Sequence, residues 1–116
     1  MVLVAVDDLL FSSKIRATAK QAGVELTFAR SPEEILGQAR ARKPSLVIFD
    51  LNSARLRPLD AITALKQEPD LSATKTLGYV SHVDTGTIDA ARAAGIDQVM
   101  ARSAFVDQLG NILTSA

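Results

Sequence analysis

The sequence lacks several residue types that carry chemistry in other proteins. Its 116 residues include no cysteine, no tryptophan and a single histidine. The absence of cysteine excludes disulfides, thiolate metal sites and cysteine nucleophiles. Aromatic residues make up only 4% of the chain, and no basic run accompanies them, so the groups that stack on bases and bind phosphates are scarce. We therefore expect no nucleic-acid partner.

An excess of charge of one sign is also missing, as are long apolar runs. The 13 basic and 13 acidic residues give a net charge of zero, so no bulk attraction draws the chain to an anionic membrane surface. The apolar runs fall far short of the roughly 20 residues that cross a membrane, and the N-terminus lacks the basic start of a signal peptide. We expect a cytoplasmic protein with no membrane partner, and one domain spanning residues 1–116.

Short apolar runs alternate with segments of helical period, and there are five of each. This alternation predicts an α/β fold with a parallel sheet. The second run alternates apolar and polar residues and the fifth begins polar, which favours edge positions for these two strands. Right-handed crossovers then give the strand order 2-1-3-4-5 of a doubly wound, flavodoxin-like (βα)5 domain. The predicted strands are Val2–Val6, Val24–Phe28, Leu46–Phe49, Leu77–Val80 and Gln98–Ala101.

Helix-capping and helix-breaking residues predict where the helices begin and end. Gly23 is expected to end the first helix in a left-handed conformation. The second helix should begin at Ser31-Pro32, with Glu34 completing a capping box, and should end before Pro44. The third is expected to start near Pro58 and the fourth to run from about Asp84 to Ala94. Ser103 is the predicted cap of the fifth helix.

Three carboxylates close two of the apolar runs. Asp7 and Asp8 follow the first run, and Asp50 ends the third. Because strands 1 and 3 are predicted neighbours, these acids should meet at one crevice at the carboxyl edge of the sheet. Their mutual repulsion favours a hard cation such as Mg²⁺, which prefers oxygen ligands. The alternative interpretation is that Asp7 and Asp8 begin a loop or cap a helix.

Two enzyme classes lack necessary residues. A metal-dependent hydrolase with an aspartyl nucleophile would need an Asp-x-Asp start, but Asp50-Leu51-Asn52 has no second acid. Nucleotide-binding enzymes need a glycine-rich phosphate loop, and neither Gly-x-Gly-x-x-Gly nor a Walker loop is present. We therefore expect that the protein is not an enzyme.

The ordered set of motifs resembles the receiver domains of two-component response regulators over nearly the whole chain. Val6-Asp7-Asp8 is similar to their acidic pair, and Pro44 to Leu51 to their phospho-acceptor strand. Ser81 matches their hydroxyl position, and the segment from Gly95 to Phe105 resembles their approach to the last helix.

The resemblance implies phosphoryl transfer from a histidine kinase or phosphotransfer protein to Asp50. Asp7, Asp8 and Asp50 would then hold Mg²⁺ together with the backbone carbonyl of Asn52, and Ser81 would bind the new phosphoryl group. A single-domain receiver in a phosphorelay would signal through a separate protein partner, which the sequence does not identify.

The chain departs from the receiver pattern at four positions. Arg102 replaces a lysine and Ser103 a proline, while Val99 replaces the aromatic residue that reports the switch. His82 stands where a small residue is usual, and could narrow access to Asp50, titrate near neutral pH or be solvated. Arg102 could bind a phosphoryl group with two hydrogen bonds or hold Asp50 in a resting ion pair. These departures leave open an alternative function, a pseudo-receiver that binds a protein partner independently of phosphorylation.

Overall fold

The apolar runs form the strands of one parallel sheet. The computed structural model describes residues 1–81 and 84–116. Its strand order is β2-β1-β3-β4-β5, and each neighbouring pair is parallel. This confirms the predicted order and the flavodoxin-like fold. The strands are β1 (Val2–Ala5), β2 (Leu26–Ala29), β3 (Leu46–Asp50), β4 (Lys75–Val80) and β5 (Gln98–Ala101).

Helices cover both faces of this sheet, and each face has its own apolar core. Val4, Ile15 and Phe105 belong to the core beneath α1 and α5. Phe49 and Leu65 belong to the core beneath α2, α3 and α4. Burial on both faces explains the continuous apolar runs of β1 and β3. The helices are α1 (Leu9–Ala22), α2 (Pro32–Arg42), α3 (Pro58–Gln67), α4 (Thr85–Ala94) and α5 (Arg102–Thr114).

Local capping explains most helix boundaries. Gly23 ends α1 with φ 70°, a left-handed conformation that costs glycine little. Ser31 caps α2 by accepting a hydrogen bond from the Glu34 N–H at 3.1 Å, with Pro32 in the first turn. The Glu34 carboxylate accepts a hydrogen bond from the N–H of Arg30 at 3.0 Å. The predicted capping box places that bond at the N–H of Ser31, one residue later.

The ends of β1, β2 and β3 each differ by one residue from the sequence-based prediction, and three other boundaries differ for identifiable reasons. Ser103 is not the cap of α5, because the helix begins at Arg102 and extended Ala101 leads into it directly from β5 without a side-chain cap. The second strand begins at Leu26, since the Val24 N–H still donates a hydrogen bond to the Ala19 carbonyl in the last turn of α1. The fourth strand begins earlier than expected, at Lys75, which pairs with Leu46.

The sheet brings the ends of β1 and β3 side by side. Ala5 and Phe49 are register partners, so the residues that follow them leave the same edge of the sheet. Across residues 1–81 and 84–116, no helix combines the length and apolarity needed to cross a membrane.

Candidate functional site

Asp50 ends β3 in a half-buried position beside the two acids that follow β1. Burial raises the pKa of the Asp50 carboxyl, and the charges of Asp7 and Asp8 raise it further. The Asn52 N–H, which donates to Asp50 Oδ1 at 3.0 Å, and the positive charge of Arg102 act in the opposite direction. The three acids therefore form one electrostatic cluster, in which Asp7 and Asp50 are half-buried and Asp8 is exposed.

Asp8 caps helix α1. Its Oδ1 accepts hydrogen bonds from the N–H groups of Leu10 and Phe11 at 3.0 and 3.1 Å. This confirms the helix-cap interpretation for Asp8 and leaves its second oxygen available. Asp8 Oδ2 lies 3.7 Å from Nη2 of Arg102.

Asp7 is held by a residue that the sequence-based prediction missed. Ser53 Oγ donates a hydrogen bond to Asp7 Oδ2 at 3.3 Å and accepts one from the Leu56 N–H at 3.4 Å. Ser53 is buried, so its hydroxyl belongs to the packed structure of the β3–α3 loop. A small hydroxyl residue three positions after Asp50 was the available signal, but only the fold places it against Asp7.

Asn52 links the β3–α3 loop to the end of β4. Its Oδ1 accepts a hydrogen bond from the N–H of Ser81 at 2.6 Å. The sequence assigned Asn52 a role only through its backbone carbonyl, and the structure shows that its side chain fixes Ser81. In the described part of the chain the Ser81 hydroxyl makes no hydrogen bond, and Ser81 is exposed.

Arg102 is directed toward α1. Its guanidinium carbon lies 4.2 Å from the centre of the Phe11 ring, a distance suited to a cation–π contact. Phe11 packs in turn against Tyr79 and Phe105, with ring centres 5.2 and 5.9 Å away. The ion pair with Asp50 that the sequence left possible is not formed, since among the described residues the carboxylate that Arg102 pairs with is Asp8.

The donor set suits a hard cation that keeps much of its water. Within residues 1–81 and 84–116, no three side chains of His, Asp or Glu already converge on one metal position. Mg²⁺ typically takes one or two carboxylates and retains several waters. The carboxylates of Asp7, Asp8 and Asp50 and the carbonyl of Asn52 fit that requirement in chemical type.

No protein-family model and no curated protein matches the sequence. Solved structures of response regulators do match the fold. The chain is similar to a response regulator from Hahella chejuensis, with TM-score 0.87, 20% identity and coverage of 97% of this chain and 91% of that one. It is also similar to the phosphorylated cyanobacterial phytochrome response regulator RcpA, with TM-score 0.81 and 18% identity over 98% of this chain and 88% of that one. The Mn²⁺-bound form of the response regulator Rcp1 gives TM-score 0.77 and 15% identity over the same shares. The chain has the receiver-domain fold.

An open groove lies beside Ser81 and is lined in part by Val99. A cavity of about 640 Å³ is lined by Val80, Ser81, Val99 and Met100, with Arg92 and Arg102 also on its wall. The short side chain of Val99 is half-buried and packs against the core beneath α2, α3 and α4. His82, the other departure predicted near Asp50, lies outside the described residues.

Proposed function

We propose that this chain is a response-regulator receiver that accepts a phosphoryl group on Asp50 and relays a signal to a separate protein. The observation that carries the proposal is the half-buried Asp50 carboxylate at the end of β3, crowded by Asp7 and Asp8 within a receiver fold. Clefts that hold carboxylates with perturbed pKa values are candidate reactive sites. The proposed donor is the phosphohistidine of a cytoplasmic histidine kinase or phosphotransfer protein.

The proposed reaction transfers a phosphoryl group from nitrogen to oxygen. An Asp50 oxygen attacks phosphorus, the P–N bond breaks, and the histidine nitrogen keeps the electron pair and is later protonated by water. The product is an aspartyl phosphate. Mg²⁺, when bound, would offset the negative charge of the transferring group and of the acidic cluster.

Three residues of the chain have distinct proposed roles around that reaction. Ser53 orients Asp7, and Asp8 presents its Oδ2 to a cation while its Oδ1 caps α1. Ser81 has a hydroxyl that can donate to the new phosphoryl group. Movement of Ser81 toward Asp50 would alter the groove lined by Val99, giving a downstream partner a different surface.

The existence of neighbours crystallised in phosphorylated and metal-bound forms supports the proposal. RcpA is described as phosphorylated, and Rcp1 as bound to Mn²⁺. Because the identities are below 25%, these proteins inform the fold of this chain, and the chemistry is our proposal. We likewise propose that the protein changes state through its own modification and does not turn over a separate substrate.

The test is phosphorylation by a small donor. Protein treated with phosphoramidate and Mg²⁺ should gain one phosphoryl mass increment that is lost in hydroxylamine. The increment should be absent from Asp50→Asn and retained in Asp107→Asn, which removes an exposed carboxylate on α5. The relay is contradicted if the wild-type protein gains no increment and beryllofluoride with Mg²⁺ leaves its amide spectrum unchanged.

A second function, the phosphorylation-independent pseudo-receiver, is favoured by the contacts of Arg102. This residue occupies the available oxygen of Asp8, and Val99 provides no ring to move between buried and exposed positions. Under this function the groove beside Ser81 would bind its protein partner in the unmodified state. The same phosphorylation and beryllofluoride measurements separate the two functions.

A further inference from the structure

Arg102 occupies an electrostatically unfavourable position in its own helix. It is the first residue of α5, and no acidic residue stands in the first turn. The N-terminus of a helix carries partial positive charge, so a cation there needs compensation from elsewhere. Contacts with other elements of the fold can supply part of that compensation.

Compensation comes from the start of α1, where the Phe11 ring and the carboxylate of the capping residue Asp8 contact the guanidinium. We call these two groups the seat of Arg102. Phe11 is only 5% exposed, and Tyr79 and Phe105 hold its ring in place. The Arg102 guanidinium stacks over this ring and pairs with Asp8. Arg102 is therefore docked against α1 by a cation–π contact and an ion pair at once.

The oxygen that pairs with Arg102 is the one through which Asp8 could bind a metal. Asp8 Oδ1 already accepts two backbone hydrogen bonds as the α1 cap. A divalent cation on Oδ2 would lie next to the Arg102 guanidinium, and two positive charges at that separation repel each other. Metal and guanidinium therefore compete for one carboxylate oxygen.

We propose that Arg102 is the resident counter-ion of the acidic site and that a divalent cation binds Asp8 only by displacing it from its seat on Phe11. The Phe11 ring thereby influences the metal affinity through Arg102, although it supplies no metal ligand itself. Arg102 already lies on the wall of the groove that contains Ser81, so its displaced guanidinium is free to turn toward the phosphoryl group on Asp50. This inference rests on the proposed phosphoryl-acceptor function and describes how its metal step is regulated.

Titration of variants with Mg²⁺ distinguishes the specific contact of Arg102 with Phe11 from a general effect of positive charge on Mg²⁺ affinity. Phe11→Leu removes the stacking partner and keeps every charge, and should tighten Mg²⁺ binding about 2- to 5-fold, the factor expected for one exposed cation–π contact. Arg102→Met should tighten binding roughly 10-fold because it removes the competing charge itself. Calorimetry with Mg²⁺ alone measures both affinities.

Two matched variants control for indirect effects. Arg92→Met removes another positive charge from the wall of the same groove, in a residue that pairs with no carboxylate in the described part of the chain. Phe28→Leu removes a ring whose cation–π contacts are with Arg16 and Arg30, separate from Arg102 and Phe11. Both should change the Mg²⁺ affinity by less than about 2-fold, since neither disturbs the seat.

A measurement on the wild-type protein makes the test independent of variant folding. As Mg²⁺ is added, the Nε–Hε resonance of Arg102 and the ring resonances of Phe11 should shift together along the binding curve. The inference is overturned if Mg²⁺ binds while the Arg102 resonance stays fixed, or if Arg92→Met tightens binding as much as Arg102→Met. If instead none of the proteins, Arg102→Met included, binds Mg²⁺, the metal-assisted function itself is contradicted.

Discussion

Asn52 Oδ1 accepts a hydrogen bond from the N–H of Ser81 at 2.6 Å, across 29 positions of the sequence. The bond joins the loop that follows the proposed acceptor to the residue proposed to bind the phosphoryl group. The N–H of Asn52 itself donates to Asp50. One residue thus couples the acceptor carboxylate to the end of β4, and any movement of Ser81 toward Asp50 must break or rearrange that link.

Replacing Asn52 by alanine should free the end of β4. The Ser81 amide would lose its protein acceptor, and we expect its hydrogen exchange to accelerate about 5-fold, the effect of losing roughly 1 kcal/mol of net hydrogen-bond stabilisation. Amide exchange followed by NMR measures this rate. Asn111→Ala on the exposed side of α5 is the control. Unchanged exchange at Ser81 in Asn52→Ala would show that the link does not restrain this loop.

Asp50→Asn should stabilise the folded protein at neutral pH. Burial, followed by the charges of Asp7 and Asp8, raises the pKa of Asp50 in the folded state, so the folded state holds the proton more tightly than the unfolded chain does. Ionisation therefore opposes folding once the pH exceeds the unfolded value of about 3.9. We expect a gain of roughly 0.5–2 kcal/mol at pH 7, the usual range for relieving such a site.

The pH dependence distinguishes this effect from a change in packing. The gain should shrink as the pH falls through the raised pKa of Asp50 and vanish below about 4, where the carboxyl is protonated in both states. Urea unfolding at several pH values measures it, with Asp107→Asn as the matched exposed carboxylate. An equal gain at pH 3 and pH 7 would contradict the electrostatic explanation.

The strand order of the sheet could be predicted from the sequence because a strand's position in the sheet decides which of its faces are buried, and burial decides which of its residues are apolar. Strands that are buried on both faces must be apolar throughout, and β1 and β3 are. Their adjacency then predicted that Asp7, Asp8 and Asp50 lie at the same edge of the sheet, where the charges of Asp7 and Asp8 raise the pKa of Asp50. The cap predicted at Ser103 was wrong because the β5–α5 connection has no loop, a feature that residue preferences do not encode.

The side-chain contacts inside the site could not be predicted from the sequence, for a different reason. Ser53 meets Asp7 across 46 positions, and Arg102 meets Phe11 and Asp8 from the opposite end of the chain. Such contacts depend on side-chain directions after packing, and the chemistry of each residue permits several partners. The sequence left Arg102 with Asp50 or a phosphoryl group as its partner, and the structure selects a third arrangement.

Tyr79 should stay protonated in the folded protein at alkaline pH. Burial, reinforced by the charge of Asp50, raises the pKa of its phenol well above the usual value. Because the unfolded chain loses this proton near pH 10, the stability that Tyr79 contributes is complete below pH 10 and declines above it. The chain has one tyrosine, so phenolate absorbance reports this group alone.

We expect that absorbance to rise only together with unfolding, as followed by circular dichroism. Tyr79→Phe should lessen the loss of stability above pH 10. Ionisation of the native protein near pH 10, with its structure intact, would show that the phenol is accessible to hydroxide.

Gly78 should not tolerate a side chain, although it lies within a strand. A Cβ at this position would be 2.7 Å from Cγ of Leu51 and 2.8 Å from Cδ1 of Ile96. Overpacking of this kind costs roughly 1–3 kcal/mol, and Gly78→Ala should lose that much stability in urea unfolding. Gly110→Ala is the opposite case, because its Cβ would meet nothing within 4 Å and alanine favours the helix by roughly 0.5–1 kcal/mol.

The Gly78 substitution also tests whether packing beneath Asp50 matters for its reactivity. Leu51 follows Asp50 directly and donates its N–H to the Tyr79 carbonyl at 3.1 Å, so a displaced Leu51 side chain would strain the backbone that holds the carboxylate. We expect slower phosphorylation by phosphoramidate in Gly78→Ala at temperatures where the protein remains folded, while Gly110→Ala reacts at the wild-type rate. Equal rates in all three proteins would show that Leu51 relaxes within the core without moving Asp50.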